Sequence, residues 1–138
     1  MIDLSTKFGS RVRQQLESER VIWLTSVGPY NSPQPRPVWF IWDGTSVLIY
    51  SQPKCHKARH IARSPRVSLN FNTDSEAREV AVLIGVARVD LSAPSADNHP
   101  KYLEKYRKAI ADLDMTLQEF ARDYSVRIRV TPTRLRGF

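Results

Sequence analysis

The sequence predicts an α+β barrel, in which about six mainly antiparallel strands form one sheet and helices lie at its periphery. Short β-branched and aromatic segments, separated by turn residues, predict the strands. One short helix interrupts the strand series and two helices precede the last strand. Alternating strand and helix units are therefore absent, which disfavours a doubly wound parallel sheet. The 138 residues are enough for one hydrophobic core, and we expect residues 1–138 to form a single domain.

The chain opens with a predicted helix over about residues 6–18, where an apolar side chain recurs at every fourth position. These side chains are Phe8, Val12 and Leu16. Ser5 or Thr6 can cap the free amides at the start of the helix. Residues 21–27 are β-branched and aromatic and precede turn residues, which predicts the first strand. We expect Trp23 to be a core residue, because large aromatic side chains in strands usually are.

The second predicted strand is entered through prolines at alternate positions, namely Pro33, Pro35 and Pro37. Proline has no N–H group, and alternate residues of an extended chain point to the same side, so that side cannot be hydrogen-bonded into a sheet in the normal way. The strand continues through residues 38–42, which are apolar on both faces. Asp43-Gly44 then predicts a hairpin turn into a third strand over about residues 45–51.

The middle of the chain predicts a short helix and two further strands. A narrow apolar stripe indicates the helix, which Pro65 ends. The stripe consists of Cys55, Ala58 and Ala62. Residues 66–71 alternate between apolar and polar side chains, which predicts the fourth strand. Residues 80–87 are apolar at every position, so we expect this strand to be buried on both faces, by another element or by a second subunit.

Two helices and one strand complete the prediction. Asp97, Asn98 and Pro100 suit a helix N-terminus. Apolar side chains follow at helical spacing, namely Tyr102, Tyr106, Ile110 and Leu113. A capping box at residues 116–119 opens a last short helix. Residues 126–130, VRIRV, predict a final strand that is apolar on one side and carries arginine on the other.

The composition predicts a cytoplasmic globular protein. Hydrophobic residues make up 41% and charged residues 25%, which excludes a disordered or fibrous chain. No apolar run approaches the ~20 residues that span a bilayer, and the N-terminus lacks the pattern of a signal peptide. Cys55 is the only cysteine, which excludes an internal disulfide and a metal site built from clustered cysteines.

The distribution of charge predicts an anionic partner. Lys and Arg number 21 against 14 Asp and Glu, a formal net charge of +7. No acidic residue occurs between Asp43 and Asp74, or after Asp123. Both stretches are rich in Lys and Arg, so their charge has no neutralising partner nearby in sequence. A nucleic acid, a membrane or a phosphorylated small molecule would satisfy this charge, and motifs must decide among them.

The passage from strand to helix over residues 51–57 is the strongest local signal. A helix start presents free N–H groups, and Lys57 adds a full positive charge where a phosphate would lie. The supporting side chains are Lys54, His56 and Arg59. The alternative is a solvated basic helix. A metal site at His56 and His60 is disfavoured by their basic neighbours, and no catalytic triad, paired carboxylates or glycine-rich phosphate loop is present.

Four segments, in this order, carry a resemblance to a known family. They are PRPVWFIWDG at 35–44, YSQPKCHKARHIARSPRVSLNF at 50–71, VLIGVARV at 82–89 and the ending VRIRVTPTRLRGF. Together they resemble the pyridoxamine 5'-phosphate oxidase-like split-barrel superfamily, and within it the small deazaflavin-dependent oxidoreductases. The resemblance covers nearly the whole chain from about residue 8. It implies a homodimer of split β-barrels of the flavin-reductase/FMN-binding type, with two cofactor sites at the subunit interface.

The resemblance also implies the residues of the cofactor site. The strand at 36–40 would run along the cofactor ring, through Arg36, Pro37, Val38 and Trp39. The phosphate would be held where the third strand enters the short helix, by the basic pair His56 and Lys57 with Ser51 and Gln52 before it, and the nearby Lys54 would support them. Oxidase members favour arginine where this chain has His56, and the C-terminus lacks the tryptophan and the arginine–histidine pattern that hold pyridoxamine phosphate. Vitamin B6 oxidation is therefore disfavoured.

The function implied is that of an oxidoreductase that transfers a hydride between the deazaflavin coenzyme F-420 and a small organic acceptor. The cofactor supplies the hard chemistry, which accounts for the lack of acid–base groups in the sequence. Arg36 or Arg129 would stabilise negative charge that develops on the ring. The alternatives are an FMN-dependent oxidoreductase, a non-catalytic carrier of FMN or haem, and a nucleic-acid-binding protein. The last is disfavoured because the basic residues are not interleaved with exposed aromatics.

Overall fold

The computed structural model describes residues 1–138, which form four helices and seven strands. The helices are α1 (Lys7–Ser18), α2 (Lys57–Arg63), α3 (Pro100–Asp112) and α4 (Leu117–Asp123). The strands are β1 (Ile22–Val27), β2 (Pro33–Val38), β3 (Ile41–Trp42), β4 (Val47–Ser51), β5 (Arg66–Asn70), β6 (Ala81–Val89) and β7 (Val126–Gly137). The predicted α+β class is confirmed.

All strands belong to one antiparallel sheet with the order β2-β1-β5-β6-β7-β4-β3. β2 and β3 lie at opposite edges of this sheet, although only Trp39 and Phe40 separate them in the chain. The sheet must therefore curl until its two edges meet, which gives an open barrel consistent with the split barrel that the resemblance implied. The prediction of one continuous second strand is wrong, and its division into β2 and β3 gives seven strands instead of six.

Helix α3 supplies the hydrogen bonds that the break between β2 and β3 removes from the sheet. The backbone N–H of Phe40 donates to the hydroxyl of Tyr106 at 3.0 Å, and the carbonyl of Phe40 accepts from Lys105 Nζ at 3.0 Å. Lys101 Nζ donates to the carbonyl of Trp42. Buried backbone groups need such partners. The bend that closes the barrel is thus held by side chains of one helix.

The prolines of β2 lie at the edge of the sheet, as their spacing predicts. β2 pairs only with β1, over the full register from Ile22 opposite Val38 to Val27 opposite Pro33. An edge strand leaves one row of backbone groups without a neighbouring strand, so missing N–H groups remove no sheet hydrogen bond there.

The core has two parts, separated by β4. The larger part fills the barrel beneath α1 and includes Val12, Leu16, Leu24, Phe40, Val47, Ile49, Leu83 and Val130. The smaller part lies between the barrel and helices α3 and α4 and includes Leu48, Tyr50, Tyr102, Tyr106, Ile110 and Phe120. All five residues of β4 are buried. β4 and the two-residue β3 are therefore the strands that this chain alone covers on both faces.

The single chain buries one face of β6 and leaves the other face, which is expected to lie against another element or a second subunit, partly exposed. Its inward residues Ala81, Leu83 and Ala87 are buried. The outward residues Val82 and Ile84 are half-buried, and Val86 is 45% exposed. The outer face of β6 thus carries an apolar stripe, Val82, Ile84 and Val86, that this chain covers only in part.

Local capping predictions are confirmed. The hydroxyl oxygen of Thr6 accepts from the N–H of Gly9 at 2.9 Å at the start of α1. Thr116 and Glu119 form the predicted capping box of α4, with reciprocal hydrogen bonds of 3.0 and 3.1 Å. At the hairpin turn, Asp43 accepts from the N–H groups of Thr45 and Ser46. These elements depend on short-range chemistry that the sequence displays directly.

Three predicted side-chain positions are wrong. In α2 the buried residue is Ile61, and Ala62 is exposed. Leu113 is 50% exposed because α3 ends at Asp112. Trp23 is half-buried on the outward face of β1, where its indole N–H donates to Asn72 at 2.9 Å.

The last strand is also longer than predicted, because β7 continues past residue 130 to Gly137. Its pairing with β6 shifts register between Ile84 and Gly85. A Cβ atom on Gly85 would lie 2.6 Å from the carbonyl oxygen of Thr131, so glycine is needed for this close approach. No helix of the chain combines the length and the apolar character that crossing a bilayer requires.

Candidate functional site

A cavity of about 320 Å³ opens where the end of β2, the end of β4 and the start of α2 meet helices α3 and α4. Its lining is mostly apolar and aromatic, with a few polar side chains, as is common in small-molecule sites. The lining residues are Pro37, Val38, Trp39, Tyr50, Ser51, Gln52, Cys55, Lys57, Tyr102, Leu113, Phe120 and Tyr124. No carboxylate contributes to this lining.

Stacked aromatic rings stiffen one wall of the cavity. Trp39 lies over Tyr106 with ring centres 4.7 Å apart and planes 3° apart, and its ring centre is 5.8 Å from that of Phe120. Phe120 in turn stacks on Tyr124 at 4.4 Å. The two-residue break between β2 and β3 releases Trp39 from pairing with β1. The side chain of Trp39 therefore turns toward α3. The wall is therefore a pre-formed, flat apolar surface.

The polar part of the cavity comes from the junction between β4 and α2. Ser51 ends β4 and is buried, Gln52 follows it, and Lys57 is the first residue of α2. Lys57 is half-buried and forms no ion pair within the chain. A half-buried ammonium group without a carboxylate nearby favours an anionic ligand group at this end of the cavity.

Two tyrosine hydroxyls of the lining stay protonated. Burial raises the pKa of Tyr50 to about 12 and also raises the pKa of Tyr102. The hydroxyl of Tyr50 donates to the carbonyl of Pro94 at 2.6 Å. The hydroxyl of Tyr102 is buried and has no hydrogen-bond partner within the chain.

Six of the ten predicted cofactor residues lie together around this cavity. They are Pro37, Val38, Trp39, Ser51, Gln52 and Lys57. Arg36 is exposed on β2, where Nη1 donates to the carbonyl of Pro35 at 3.0 Å, and Lys54 is exposed in the loop before α2. Neither of these two lines the cavity.

His56 lies beside a second, basic cleft of about 360 Å³. Its lining is formed by Pro29, Gln34, His56, Arg59, His60 and Arg63. The cleft contains no acidic residue, and burial together with the nearby basic groups lowers the pKa of His60. Because His56 and Lys57 are consecutive, the basic cleft and the aromatic cavity flank the same strand-to-helix junction.

The structure places Arg129 in an ion-pair network away from the aromatic cavity. Its Nε donates to Asp90 at 2.6 Å, and its Nη1 donates to Asp43 and to Ser46, each at 2.7 Å. Hydrogen bonds from Ser92 and from Arg129 hold the pKa of Asp90 well below its ordinary value. Burial would raise the pKa of Asp43, but hydrogen bonds from Thr45 and Ser46 outweigh it and lower that pKa to about 2. The guanidinium of Arg129 is thus already occupied by two carboxylates.

Sequence reasoning missed the aromatic residues that complete the cavity. Tyr102 was expected on the apolar face of its helix, and no site role was assigned to Tyr50, Phe120 or Tyr124. The available signal was the polar hydroxyl that three of them carry on an otherwise apolar face. The helical pattern cannot show which of these hydroxyls finds a partner within the chain.

A family model described as pyridoxamine 5'-phosphate oxidase matches residues 8–138. The chain belongs to this family. A putative pyridoxamine 5'-phosphate oxidase from Listeria innocua is 22% identical, with a TM-score of 0.67 over 94% of this chain and 96% of that one. An F420 reductase is 25% identical, with a TM-score of 0.63 over 90% of this chain and 94% of that one.

The family fold also carries proteins with other roles. HutZ, the haem storage protein from Vibrio cholerae, is 12% identical, with a TM-score of 0.65 over 96% of this chain and 95% of that one. No curated protein matches the sequence. The predicted resemblance to the pyridoxamine 5'-phosphate oxidase family is thus confirmed. The similar structures include an F420 reductase.

Proposed function

We propose that this protein is an oxidoreductase that transfers a hydride between the deazaflavin coenzyme F-420 and a small organic acceptor. The observation that carries the proposal is the cavity in which the flat aromatic wall at Trp39 is combined with the unpaired cation of Lys57. The family membership and the F420 reductase among similar structures support it.

The residues present fit such a coenzyme. A flat wall suits a tricyclic ring, and Ser51, Gln52 and Lys57 can hold a phosphate by hydrogen bonds and charge. The buried hydroxyl of Tyr102 lacks a partner that a polar atom of a ligand would supply. When bound, the coenzyme supplies the hydride chemistry.

The chain's own side chains would bind and orient, and would exclude water. Trp39 and Phe120 fix the plane of a ring and keep water from one of its faces. Lys57 anchors the phosphate and so sets the position of the ring along the cavity. Arg36 remains a candidate for stabilising negative charge, since it lies on β2 directly before Pro37 of the lining, whereas Arg129 is occupied by Asp90 and Asp43.

We propose that two copies of the chain form a homodimer through the outer face of β6, with the cofactor sites at the subunit interface. The apolar stripe Val82, Ile84 and Val86 supports the association of two copies, because the single chain leaves it partly exposed. Exposed apolar patches of this kind mark interaction surfaces. A partner subunit would also enlarge a cavity that is at the lower end of the range for small-molecule sites.

The basic cleft favours the deazaflavin coenzyme over FMN. The coenzyme carries a polyanionic oligoglutamate tail, whereas FMN has a single phosphate. The cleft at Arg59 and Arg63 begins one residue from Lys57 and has no acidic lining, so it suits an extended anion that continues beyond the phosphate. FMN remains the alternative cofactor of the same site.

A non-catalytic carrier of FMN or haem is the second candidate. The observation that favours it is that neither a carboxylate nor an imidazole lines the cavity, so the lining offers no conventional general base. The haem storage protein HutZ has a similar fold. A nucleic-acid-binding role is less well supported, because the aromatic residues of the cavity are enclosed rather than interleaved with the exposed basic residues.

The absorption spectrum of purified protein, followed by titration with coenzyme F-420, FMN and haemin, tests these candidates. Binding of the deazaflavin coenzyme, followed by faster reduction of a quinone or enone by its reduced form, is the expected result. Tight binding with no turnover across a panel of quinones and enones would favour the carrier. A Soret band would indicate haem, and binding of DNA that falls steeply with salt would indicate a nucleic-acid partner.

Replacing Lys57 with Ala should weaken binding of coenzyme F-420 by about 1.5–3 kcal/mol, the contribution of a hydrogen bond to a charged group. The melting temperature should hardly change, because Lys57 forms no ion pair in the free protein. Isothermal titration calorimetry measures the affinity.

Two matched variants accompany this test. Lys108→Ala removes the same charge from an exposed position on α3 and should leave the affinity unchanged. Lys54 lies three residues from Lys57 but outside the cavity, so Lys54→Ala should have a much smaller effect on the affinity. Equal losses in Lys54→Ala and Lys57→Ala would indicate diffuse attraction by the basic stretch and would contradict a phosphate site at Lys57.

A further inference from the structure

Among the residues that line the aromatic cavity, only Tyr102 has a buried polar side-chain atom without a hydrogen-bond partner. Its side chain is fully buried, with 0% exposure. Burying an unpaired hydroxyl opposes folding, and the large majority of buried polar side-chain atoms in proteins are paired. The unpaired hydroxyl of Tyr102 therefore calls for a functional explanation.

Two neighbouring tyrosines show that the fold can satisfy a hydroxyl at this depth. Tyr50 and Tyr106 flank Tyr102, with ring centres 4.7 and 4.8 Å from its own. The hydroxyl of Tyr50 donates to Pro94, and that of Tyr106 donates to the carbonyl of Arg20 at 2.7 Å. Of these three buried tyrosines, only Tyr102 both lines the cavity and lacks a partner.

We propose that the hydroxyl of Tyr102 donates a hydrogen bond to a carbonyl oxygen of a planar ring compound bound in the cavity, which makes Tyr102 a specificity-determining residue. Three features of the cavity define this ligand. Burial keeps the hydroxyl protonated, so it acts as a donor at neutral pH. The stacked rings of Trp39, Phe120 and Tyr124 favour a flat ligand. Lys57 is the only cation of the lining, so an anionic group binds there, and the partner of Tyr102 is a neutral oxygen.

This inference rests on the proposed function, because two participants in that reaction carry such an oxygen. The coenzyme has carbonyl groups on its pyrimidine ring, and a quinone or enone acceptor has its own carbonyl group. In either case the site discriminates strongly, since a ligand that lacks the oxygen leaves the hydroxyl buried and unpaired.

The test is Tyr102→Phe, which removes the hydroxyl and keeps the ring. We expect the melting temperature to stay the same or rise, because the variant no longer buries an unpaired group. We expect the affinity for at least one probe to fall about 3- to 10-fold, the loss of one hydrogen bond. The probes are coenzyme F-420, FMN and 2-methyl-1,4-naphthoquinone, each titrated alone. The probe that loses affinity identifies whether coenzyme or acceptor supplies the oxygen.

Two further tyrosine variants calibrate the result. Tyr106→Phe removes a hydroxyl that is hydrogen-bonded within the chain, so its melting temperature should fall. Tyr30→Phe alters an exposed hydroxyl and should change neither stability nor affinity. A fall in melting temperature for Tyr102→Phe as large as that of Tyr106→Phe would overturn the inference. Unchanged affinity for every probe that binds would also overturn it.

Failure of the proposed function gives a different pattern. If Lys57→Ala weakens coenzyme binding while Tyr102→Phe binds every probe as the parent protein does, the inference fails and the function stands. If neither coenzyme binds but the quinone binds in a manner that depends on Tyr102, the function fails and the inference stands. Binding of none of the three probes overturns both.

Discussion

Replacing Arg129 with Met should destabilise the protein by about 2–3 kcal/mol, because the buried carboxylate of Asp90 loses its hydrogen-bonded cation and keeps only Arg88, whose Nη1 lies 3.4 Å from Oδ1. The side chain of Asp90 is only 5% exposed, and its Oδ2 atom would lose the 2.6 Å hydrogen bond from Arg129. Asp43 and Ser46 would lose their hydrogen bonds from Arg129 as well. Chemical denaturation of both proteins at pH 7 measures the difference in the free energy of unfolding.

The ion-pair network also predicts how stability depends on pH. The pKa values of Asp90 and Asp43 are lower in the folded state than the ~3.9 of an unfolded chain. Their contribution is therefore complete above about pH 4 and is lost as the pH falls toward 2. In Arg129→Met this loss should be smaller, because Arg129 helps to lower the pKa of Asp90. Thermal melts between pH 5 and pH 2 measure both profiles.

An arginine outside the network and away from β6 serves as the control. Arg107 on α3 is exposed and forms no ion pair, so Arg107→Met should change the free energy of unfolding by less than about 0.5 kcal/mol. Combining Arg129→Met with Asp90→Asn should restore part of the lost stability, since it removes the carboxylate that Arg129 no longer neutralises. Equal stability of Arg129→Met and Arg107→Met would contradict the importance of the network.

Placing a glutamate at Ile84 should convert the proposed dimer into monomers that no longer bind coenzyme. Ile84 is half-buried at the centre of the apolar stripe on β6, so the single chain can solvate a carboxylate there and remain folded. Within an interface between two copies, the same charge would be buried twice without a partner. Analytical ultracentrifugation measures the mass, and circular dichroism verifies the fold.

The control for this change is Leu91→Glu. Leu91 is 85% exposed in the loop after β6, so the substitution makes the same kind of change away from the stripe. Both mass and coenzyme affinity should remain those of the parent protein. A parent protein that sediments as a monomer yet binds coenzyme would contradict an interface site, as would an Ile84→Glu dimer of unchanged affinity.

Local chemistry explains which elements of the fold could be predicted. The cap at Thr6, the capping box at 116–119 and the turn at Asp43 depend on groups a few residues apart, so the sequence displays them fully. The break after Val38 does not depend on nearby groups, because the backbone of Phe40 is hydrogen-bonded to Tyr106, 66 residues away. The strand propensity of a segment takes no account of such a distant partner.

The C-terminal strand illustrates a second limit. Residues beyond Val130 include Pro132, which normally argues against a strand interior. β7 nevertheless continues, since Gly85 opposite Pro132 allows a shift in register at that point. Neither Pro132 nor Gly85 by itself predicts a long strand.

The candidate site was predictable to the extent that it follows from charge and order along the chain. Lys57 was identified because a lysine at a helix start attracts anions, and the ordered motifs brought in Trp39 and Ser51. Tyr102 could not be identified, because its importance depends on the lack of a partner in three dimensions. The ion-pair role of Arg129 could not be predicted either, because its two carboxylate partners lie 39 and 86 residues away.

The position of β7 in the sheet has a consequence for synthesis on the ribosome. β7 is translated after every other strand, yet it lies between β6 and β4 in the completed sheet. While it is still within the exit tunnel, β4 and β3 can pair only with each other, and the rows of N–H and C=O groups along β4 and β6 stay open. Open strand edges of this kind favour pairing between nascent chains. Chaperone demand should therefore peak just before β7 emerges.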